Sequence, residues 1–235
     1  MSERKVLILI PGSLNDARVW DAQAAGLAAY ADIRIADITS RESTASMAAA
    51  VLAGAPQRFA LAGFSLGGYV ALEVLRLAAP RITGLALISS SARPEHPDAV
   101  PGREKMIALA QKDFPRMLAG MRPFMLAAAN AGNADLNARL DKMMVAVGPA
   151  TFVRQSRAVI ARADSRDLLA GISCPTLVAC GREDRVTPPA LSAEMASAIA
   201  GARLELIDNA AHMLPMEAPD SLTRAMRRWL DTTSP

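Results

Sequence analysis

A serine flanked by glycines lies between a predicted strand and a predicted helix. Ser65 is the centre of the pentad GFSLG, with Gly63 and Gly67 on either side. The apolar run RFALAG precedes it, and LGGYVALEVLRLAA follows it with helical spacing. A sharp strand-to-helix turn exposes a serine hydroxyl above a sheet, and small flanking residues let the neighbouring backbone approach. The pattern predicts that Ser65 is a nucleophile; a glycine-rich connector without chemistry is the alternative.

Two histidines are available as the general base that a serine needs at its ordinary pKa. His212 follows the last predicted strand, in DNAAHMLP, whereas His96 lies in a proline-rich segment after the fourth strand and is predicted to be a surface residue. Parallel strands end at one edge of their sheet, so His212 shares that edge with Ser65. His212 is therefore the predicted base.

A carboxylate at the same edge would orient the imidazole and stabilise its protonated form. Asp184 follows the fifth predicted strand, in CGREDRVTPP, with Glu183 as the adjacent alternative. Asp164 and Asp167 precede that strand and belong to the opposite edge, and the segment LISSSA after the fourth strand carries no carboxylate. Asp184 is therefore the predicted acid.

Short apolar runs alternate with longer helical segments along the chain. Near-continuous apolar strands, such as VLILI and GLALI, are typical of a parallel sheet covered by helices on both faces. We predict one α/β domain over 1–235 with a doubly wound, mostly or all parallel sheet of about six strands. The predicted strands are Lys5–Ile10, Asp32–Asp37, Arg58–Gly63, Ile82–Ser89, Pro175–Cys180 and Arg203–Asp208.

The segment 93–164 interrupts this alternation and contains no convincing strand. It is rich in Met, Ala, Arg and Lys and is predicted to form three or four short helices. Helices inserted between two strands lie over the carboxyl edge of the sheet, where open α/β folds bind ligands, so 93–164 is predicted to be a helical cap.

Between Ala92 and Arg166 there are 12 Lys/Arg and 7 Asp/Glu. This surplus indicates either a solvated helical surface or a basic lid that attracts an anionic substrate.

The composition excludes several classes of protein. A net charge of +3 is too small to imply nucleic acid, and the longest early apolar run, Val6–Ile10, is too short for a membrane span or signal peptide. We therefore expect a cytoplasmic protein that binds neither nucleic acid nor membrane.

Cys174 and Cys180 flank one predicted strand, about 20 Å apart, which is too far for a disulfide. Without a ligand cluster or a phosphate-binding glycine loop, no metal and no cofactor are predicted.

Four segments of the chain resemble the α/β-hydrolase superfamily: IPGSLNDARVW, GFSLGG, GREDRVTPP and NAAHMLPMEAPD. The resemblance covers nearly the whole chain and is to small capped esterases, enol-lactonases and C–C bond hydrolases in particular. The chain order Ser65, Asp184, His212 is the one that this fold uses. Relatives usually carry a β-hairpin before the strand that Lys5–Ile10 matches, and the sheet is expected to lack it here.

The resemblance also implies an oxyanion hole built from two backbone N–H groups. One belongs to Leu66, the residue after the nucleophile. The other follows a His-Gly pair in relatives and falls on Ser13 here, in a segment where Pro11 replaces the histidine. The hole is expected to survive because Ser13 keeps its N–H; a plain turn with altered geometry is the alternative.

These residues imply a serine hydrolase that cleaves a small carboxylic ester through an acyl-enzyme. One alternative is an enol-lactone or C–C bond hydrolase that acts on an anionic oxo-acid, and another is a ligand receptor or scaffold with little turnover. The substrate is then a small ester or lactone. If it is anionic, Arg122, Arg154 and Arg157 of the cap are the candidates to bind its carboxylate.

Overall fold

A single sheet of six parallel strands forms the centre of the molecule. The computed structural model describes residues 4–234, so residues 1–3 and 235 of the predicted domain lie outside the described residues. The strands follow the order β2-β1-β3-β4-β5-β6 across the sheet, and every pair is parallel. They are β1 (Val6–Ile10), β2 (Asp32–Ile35), β3 (Phe59–Phe64), β4 (Ile82–Ile88), β5 (Thr176–Gly181) and β6 (Arg203–Ile207). The prediction of a doubly wound, all-parallel α/β fold is confirmed.

Both faces of the sheet are buried, which explains the continuous apolar strands. Successive side chains of a strand point to opposite faces. Leu7 and Leu9 accordingly belong to one buried cluster, while Ile8 and Ile10 belong to a second. Every residue of β3, β4 and β5 is buried, whereas the outer strands β2 and β6 are partly exposed.

Helices cover the two faces. The described helices outside the interval between β4 and β5 are α1 (Asp21–Leu27), α2 (Thr44–Gly54), α3 (Leu66–Ala78), α8 (Pro189–Ala198), α9 (Leu214–Glu217) and α10 (Pro219–Leu230). Buried side chains of α1 and α10 join the first cluster, and those of α2, α3 and α8 join the second. Within residues 4–234, no helix is both long enough and apolar enough to cross a membrane.

The interval between β4 and β5 is helical, as predicted. Its helices are α4 (Val100–Lys112), α5 (Phe114–Met125), α6 (Ala134–Ile160) and the short α7 (Arg166–Leu169). Gly148 has a non-helical backbone with a φ of 81° and divides α6 into two shorter helices. Only glycine adopts this backbone conformation readily, so the break falls there. The boundaries of a cap over 93–164 stay a prediction.

Candidate active site

Ser65 lies on a strained turn between β3 and α3. Its φ is 52° and its ψ is −116°, a conformation that costs a residue other than glycine about 1–3 kcal/mol. Two hydrogen bonds fix it: the Ser65 N–H donates to the Ile88 carbonyl at 2.9 Å, and the Ser90 hydroxyl donates to the Ser65 carbonyl at 2.9 Å. The end of β4 therefore holds the turn in place.

The glycines around Ser65 allow three backbone segments to meet. A Cβ on Gly63 would lie 2.2 Å from the Gly67 carbonyl oxygen, and one on Gly67 would lie 2.2 Å from the Ile10 carbonyl oxygen. A Cβ on Gly68 would lie 2.2 Å from the Ser90 hydroxyl. The turn thus brings the loop after β1 directly against the start of α3, and only glycine fits at these positions.

The three residues predicted to carry the chemistry form one hydrogen-bonded chain. His212 Nε2 lies 3.0 Å from Ser65 Oγ, and His212 Nδ1 lies 2.9 Å from Asp184 Oδ2. The Asp184 side chain is fully buried and that of His212 is 7% exposed. The Phe64 ring lies against the imidazole, with 5.4 Å between ring centroids. His96, the other histidine, is exposed at the start of the cap.

The environment of Asp184 favours its ionised form. Burial alone would raise the pKa of this carboxyl, but the His212 imidazole and the hydrogen bonds from Thr187 outweigh burial and lower it. The Val186 and Thr187 N–H groups both donate to Oδ1 at 2.9 Å, and the Thr187 hydroxyl donates to Oδ2 at 2.8 Å. Glu183, the alternative acid, accepts instead from the Ala128 N–H of the cap at 3.1 Å.

The two N–H groups predicted to form an oxyanion hole have no hydrogen-bond partner among the described residues. Leu66 is the first residue of α3, and the first N–H groups of a helix have no acceptor within it. Ser13 lies in the loop after β1, which Gly67 touches. Next to Ser13, Leu14 has a φ of 56°. The role of both groups stays a prediction.

A cavity of about 540 Å³ lies beside the loop after β1. Its charged lining residues are Asp16, Arg18 and Asp37, so carboxylates outnumber guanidinium groups by two to one. The uncharged lining includes residues of the loops after β1 and β2 and of α6, among them Pro11, Asn15, Ile38, Thr39, Val147 and Thr151.

Glu217 is a half-buried carboxylate that the sequence did not point to. Its Oε1 accepts from the Ala211 N–H at 2.9 Å, next to His212, and its Oε2 accepts from the Ala127 N–H of the cap at 2.7 Å. Burial raises the pKa of Glu217, although these donors oppose the shift. The signal in the sequence was an acid five residues after the histidine, within a largely apolar segment.

The structure does not bring the three cap arginines to Ser65. Arg122 forms an ion pair with Asp141 of the cap, and Arg154 donates to the Thr39 carbonyl at 2.9 Å. Arg157 is exposed on α6. None of the three has a described contact with the hydrogen-bonded serine, histidine or aspartate. A role for them in binding a substrate carboxylate therefore stays a prediction from sequence alone.

Metal and disulfide chemistry find no support in the side chains of residues 4–234. No group of three His, Cys, Asp or Glu there could hold a metal ion. Cys174 and Cys180 are both unpaired thiols, in agreement with the distance expected between them.

The parallel sheet, the serine turn after β3 and the histidine loop after β6 match the α/β-hydrolase superfamily. The profile of the family described as "Serine aminopeptidase, S33" (Hydrolase_4) matches residues 35–219, most of the chain. The chain belongs to this family and is a hydrolase.

Among curated proteins, the chain is similar to enzymes named pimeloyl-(acyl-carrier protein) methyl ester esterase. The protein of this name from Neisseria meningitidis is 26% identical over 200 residues, which are 82% of this chain and 76% of that protein. The one from Pectobacterium carotovorum is 28% identical over 233 residues, 92% of this chain and 91% of that protein.

Solved structures of esterases and a lactonase have the same fold. A thermophilic esterase from Thermogutta terrifontis superposes with a TM-score of 0.88 at 27% identity, over 98% of this chain and 91% of that one. The enol-lactonase from Burkholderia xenovorans also has a TM-score of 0.88, at 23% identity over 98% of this chain and 92% of that one. At that identity, the likeness to the lactonase bears on the fold alone.

Proposed function

We propose that this hydrolase cleaves small carboxylic esters through an acyl-enzyme, with Ser65 as nucleophile, His212 as general base and Asp184 as orienting acid. The observation that supports this most strongly is the continuous chain from Ser65 Oγ to His212 Nε2 at 3.0 Å and from His212 Nδ1 to Asp184 Oδ2 at 2.9 Å. It joins a nucleophile, a base and an acid in the order that acyl transfer requires.

Acylation begins when Ser65 Oγ attacks the ester carbonyl carbon and His212 Nε2 takes the hydroxyl proton. The carbonyl oxygen becomes an oxyanion, which the N–H groups of Leu66 and Ser13 stabilise. The bond between the carbonyl carbon and the alkoxy oxygen then breaks. The alcohol leaves with the proton from His212, and the acyl group stays on Ser65.

Deacylation repeats these steps with water. His212 takes a proton from a water molecule whose oxygen attacks the acyl carbon, and the same N–H groups hold the second oxyanion. The bond from the acyl carbon to Ser65 Oγ breaks, and Ser65 regains its proton from His212. Ionised Asp184 accepts from His212 Nδ1–H throughout. The lone pair of Nε2 is therefore available to take a proton.

The relatives named as methyl ester esterases support an ester with a small alcohol as the substrate class. A cytoplasmic location stays our prediction from sequence.

The substrate class is tested by measuring initial rates with short p-nitrophenyl esters, methyl esters of neutral and dicarboxylic acids, and enol-lactones. We expect the esters to have a higher kcat/KM than the enol-lactones and the Ser65→Ala variant to lose activity about 10⁶-fold. A higher kcat/KM for an anionic oxo-acid lactone would favour the alternative reaction. Full activity in the Ser65→Ala variant would overturn the mechanism.

A further inference from the structure

One side chain of the cap reaches the loop that carries the proposed oxyanion donor. Gln155 lies on α6 and is fully buried. Its Oε1 accepts from the Leu14 N–H at 2.9 Å and from the Ser13 hydroxyl at 3.2 Å. A residue 141 positions from Leu14 in the chain therefore holds the segment immediately after β1.

The amide of Gln155 can face this loop in only one orientation. A backbone N–H can donate but cannot accept, so the amide atom that faces Leu14 must be the oxygen. Nε2 then points away from Leu14, and it is buried without a hydrogen-bond partner among residues 4–234. A buried donor without a partner costs about 1–3 kcal/mol, and donors of this kind commonly bind a ligand or an ordered water.

Leu14 itself needs this contact. Its φ of 56° is unfavourable for a leucine, and such strain persists only where neighbouring groups fix the backbone. Gln155 supplies the acceptor for the N–H of this strained residue. Because Leu14 follows Ser13 directly, a change in its backbone would also turn the Ser13 N–H away from the bound ester.

We infer that Gln155 is a positioning residue of the oxyanion hole: its Oε1 holds the Leu14 N–H and the Ser13 hydroxyl, and so fixes the direction of the Ser13 N–H. The inference rests on the proposed function, because it needs a substrate carbonyl at Ser65. It also gives the cap a part in catalysis: the oxyanion hole has its working geometry only when α6 lies against the loop after β1.

Two variants test this inference. Gln155→Met keeps the length of the side chain but removes both the acceptor and the donor. Gln155→Glu keeps an acceptor for Leu14 and loses the donor. The matched control is Gln23→Met, since Gln23 is also fully buried and its amide bonds the Pro215 and Pro219 carbonyls.

The measurements are Tm, kcat and KM for a p-nitrophenyl ester, and Ki for an alkyl trifluoromethyl ketone, which forms a tetrahedral adduct with the serine. Each rate is divided by the concentration of active sites, which is titrated with a fluorophosphonate. Unfolded protein then does not lower the measured kcat. We expect Gln155→Met to lower kcat about 10²-fold, to change KM less than threefold and to raise Ki by a factor similar to the loss in kcat. Gln23→Met should lower Tm and leave kcat within twofold.

Gln155→Glu should regain most of the Tm and of the kcat lost in Gln155→Met, because it keeps an acceptor for the Leu14 N–H. A kcat in Gln155→Glu no higher than in Gln155→Met would overturn the role of this acceptor. If the wild-type enzyme is active and Gln155→Met has a kcat and a Ki within twofold of wild type, the whole inference is overturned. The proposed function is then left intact. Wild-type protein that neither labels nor hydrolyses any ester would overturn both.

Discussion

Asp184 illustrates how one buried carboxylate can be kept ionised without a cationic lysine or arginine beside it. Backbone N–H groups, the Thr187 hydroxyl and the His212 imidazole surround it, and their combined effect lowers its pKa despite burial. Burial raises the pKa of the neighbouring Cys180 thiol to about 12, and the negative charge of Asp184 is the second cause of this shift. Cys180 therefore stays a thiol at neutral pH.

Replacing Asp184 with Asn tests how the carboxylate orients His212. The Asn side-chain oxygen would still accept from the N–H groups of Val186 and Thr187, so the Asn NH₂ group would face His212 Nδ1. Because this NH₂ group donates to Nδ1, the imidazole proton would move to Nε2. That tautomer cannot accept the Ser65 proton. We expect kcat to fall about 10³–10⁴-fold with little change in KM, measured by steady-state kinetics. A loss below tenfold would contradict the proposed role of Asp184.

The lowered pKa of Asp184 also predicts how stability depends on pH. Between the pKa of Asp184 in the folded protein and its unfolded value of 3.8, the unfolded chain binds more protons than the folded one. The ionised carboxylate therefore stabilises the fold fully above pH 3.8, and this contribution is lost as the pH falls through the folded pKa. The difference in the free energy of unfolding between wild type and Asp184→Asn should therefore shrink below pH 3.8. Urea titrations from pH 2 to 6 measure it. A difference that does not vary with pH would count against the lowered pKa.

Strands and motifs could be predicted from the sequence, but the contacts between elements that hold the loops at the carboxyl edge of the sheet could not. The sequence predicted all six strands to within two residues. The four inner strands are buried on both faces and leave continuous apolar runs, whereas the partly exposed β2 and β6 mix apolar and charged residues. The order and edge of Ser65, Asp184 and His212 could likewise be inferred from motifs that follow strands. Gln155 and Glu217 could not, because their partners are distant in the chain and only the tertiary structure brings them together.

Glu217 connects the His212 loop to the cap, and its removal should affect both. Glu217→Ala would leave the Ala211 and Ala127 N–H groups buried without an acceptor. We expect the free energy of unfolding to fall by about 2–4 kcal/mol, with a lower kcat because the His212 loop loses its support. The matched control is Glu205→Ala, which removes an exposed ion pair with Arg228 and should cost less than about 1 kcal/mol. Equal losses in the two variants would contradict this account.

Gly67 tests the close approach between α3 and the loop after β1. A Cβ there would lie 2.2 Å from the Ile10 carbonyl oxygen, so Gly67→Ala must push two backbone segments apart. We expect a loss of about 3 kcal/mol or more in the free energy of unfolding and of most activity. Gly120→Ala is the control, since a Cβ at Gly120 of α5 meets no atom within 4 Å and should be neutral or stabilise slightly. Wild-type stability in Gly67→Ala would exclude this packing.

The whole molecule is a sheet with a helical insertion whose buried side chains join both core clusters. Met117, Leu140 and Phe152 of the inserted helices belong to the same cluster as Leu7 and Leu9 of the sheet. Ala158 and Val159 of α6 belong to the second cluster. The inserted helices therefore pack into the core of the domain.

The proposed chemistry depends on Ser65 being a nucleophile activated by its neighbours. The measurement is the mass of the tryptic peptide 59–76 after reaction of the folded protein with a fluorophosphonate, compared with the Ser65→Ala and His212→Ala variants. We predict one phosphonyl group per wild-type chain, located on Ser65, much slower labelling of His212→Ala and none at this peptide in Ser65→Ala. An unmodified Ser65 in folded, wild-type protein would contradict the proposed mechanism.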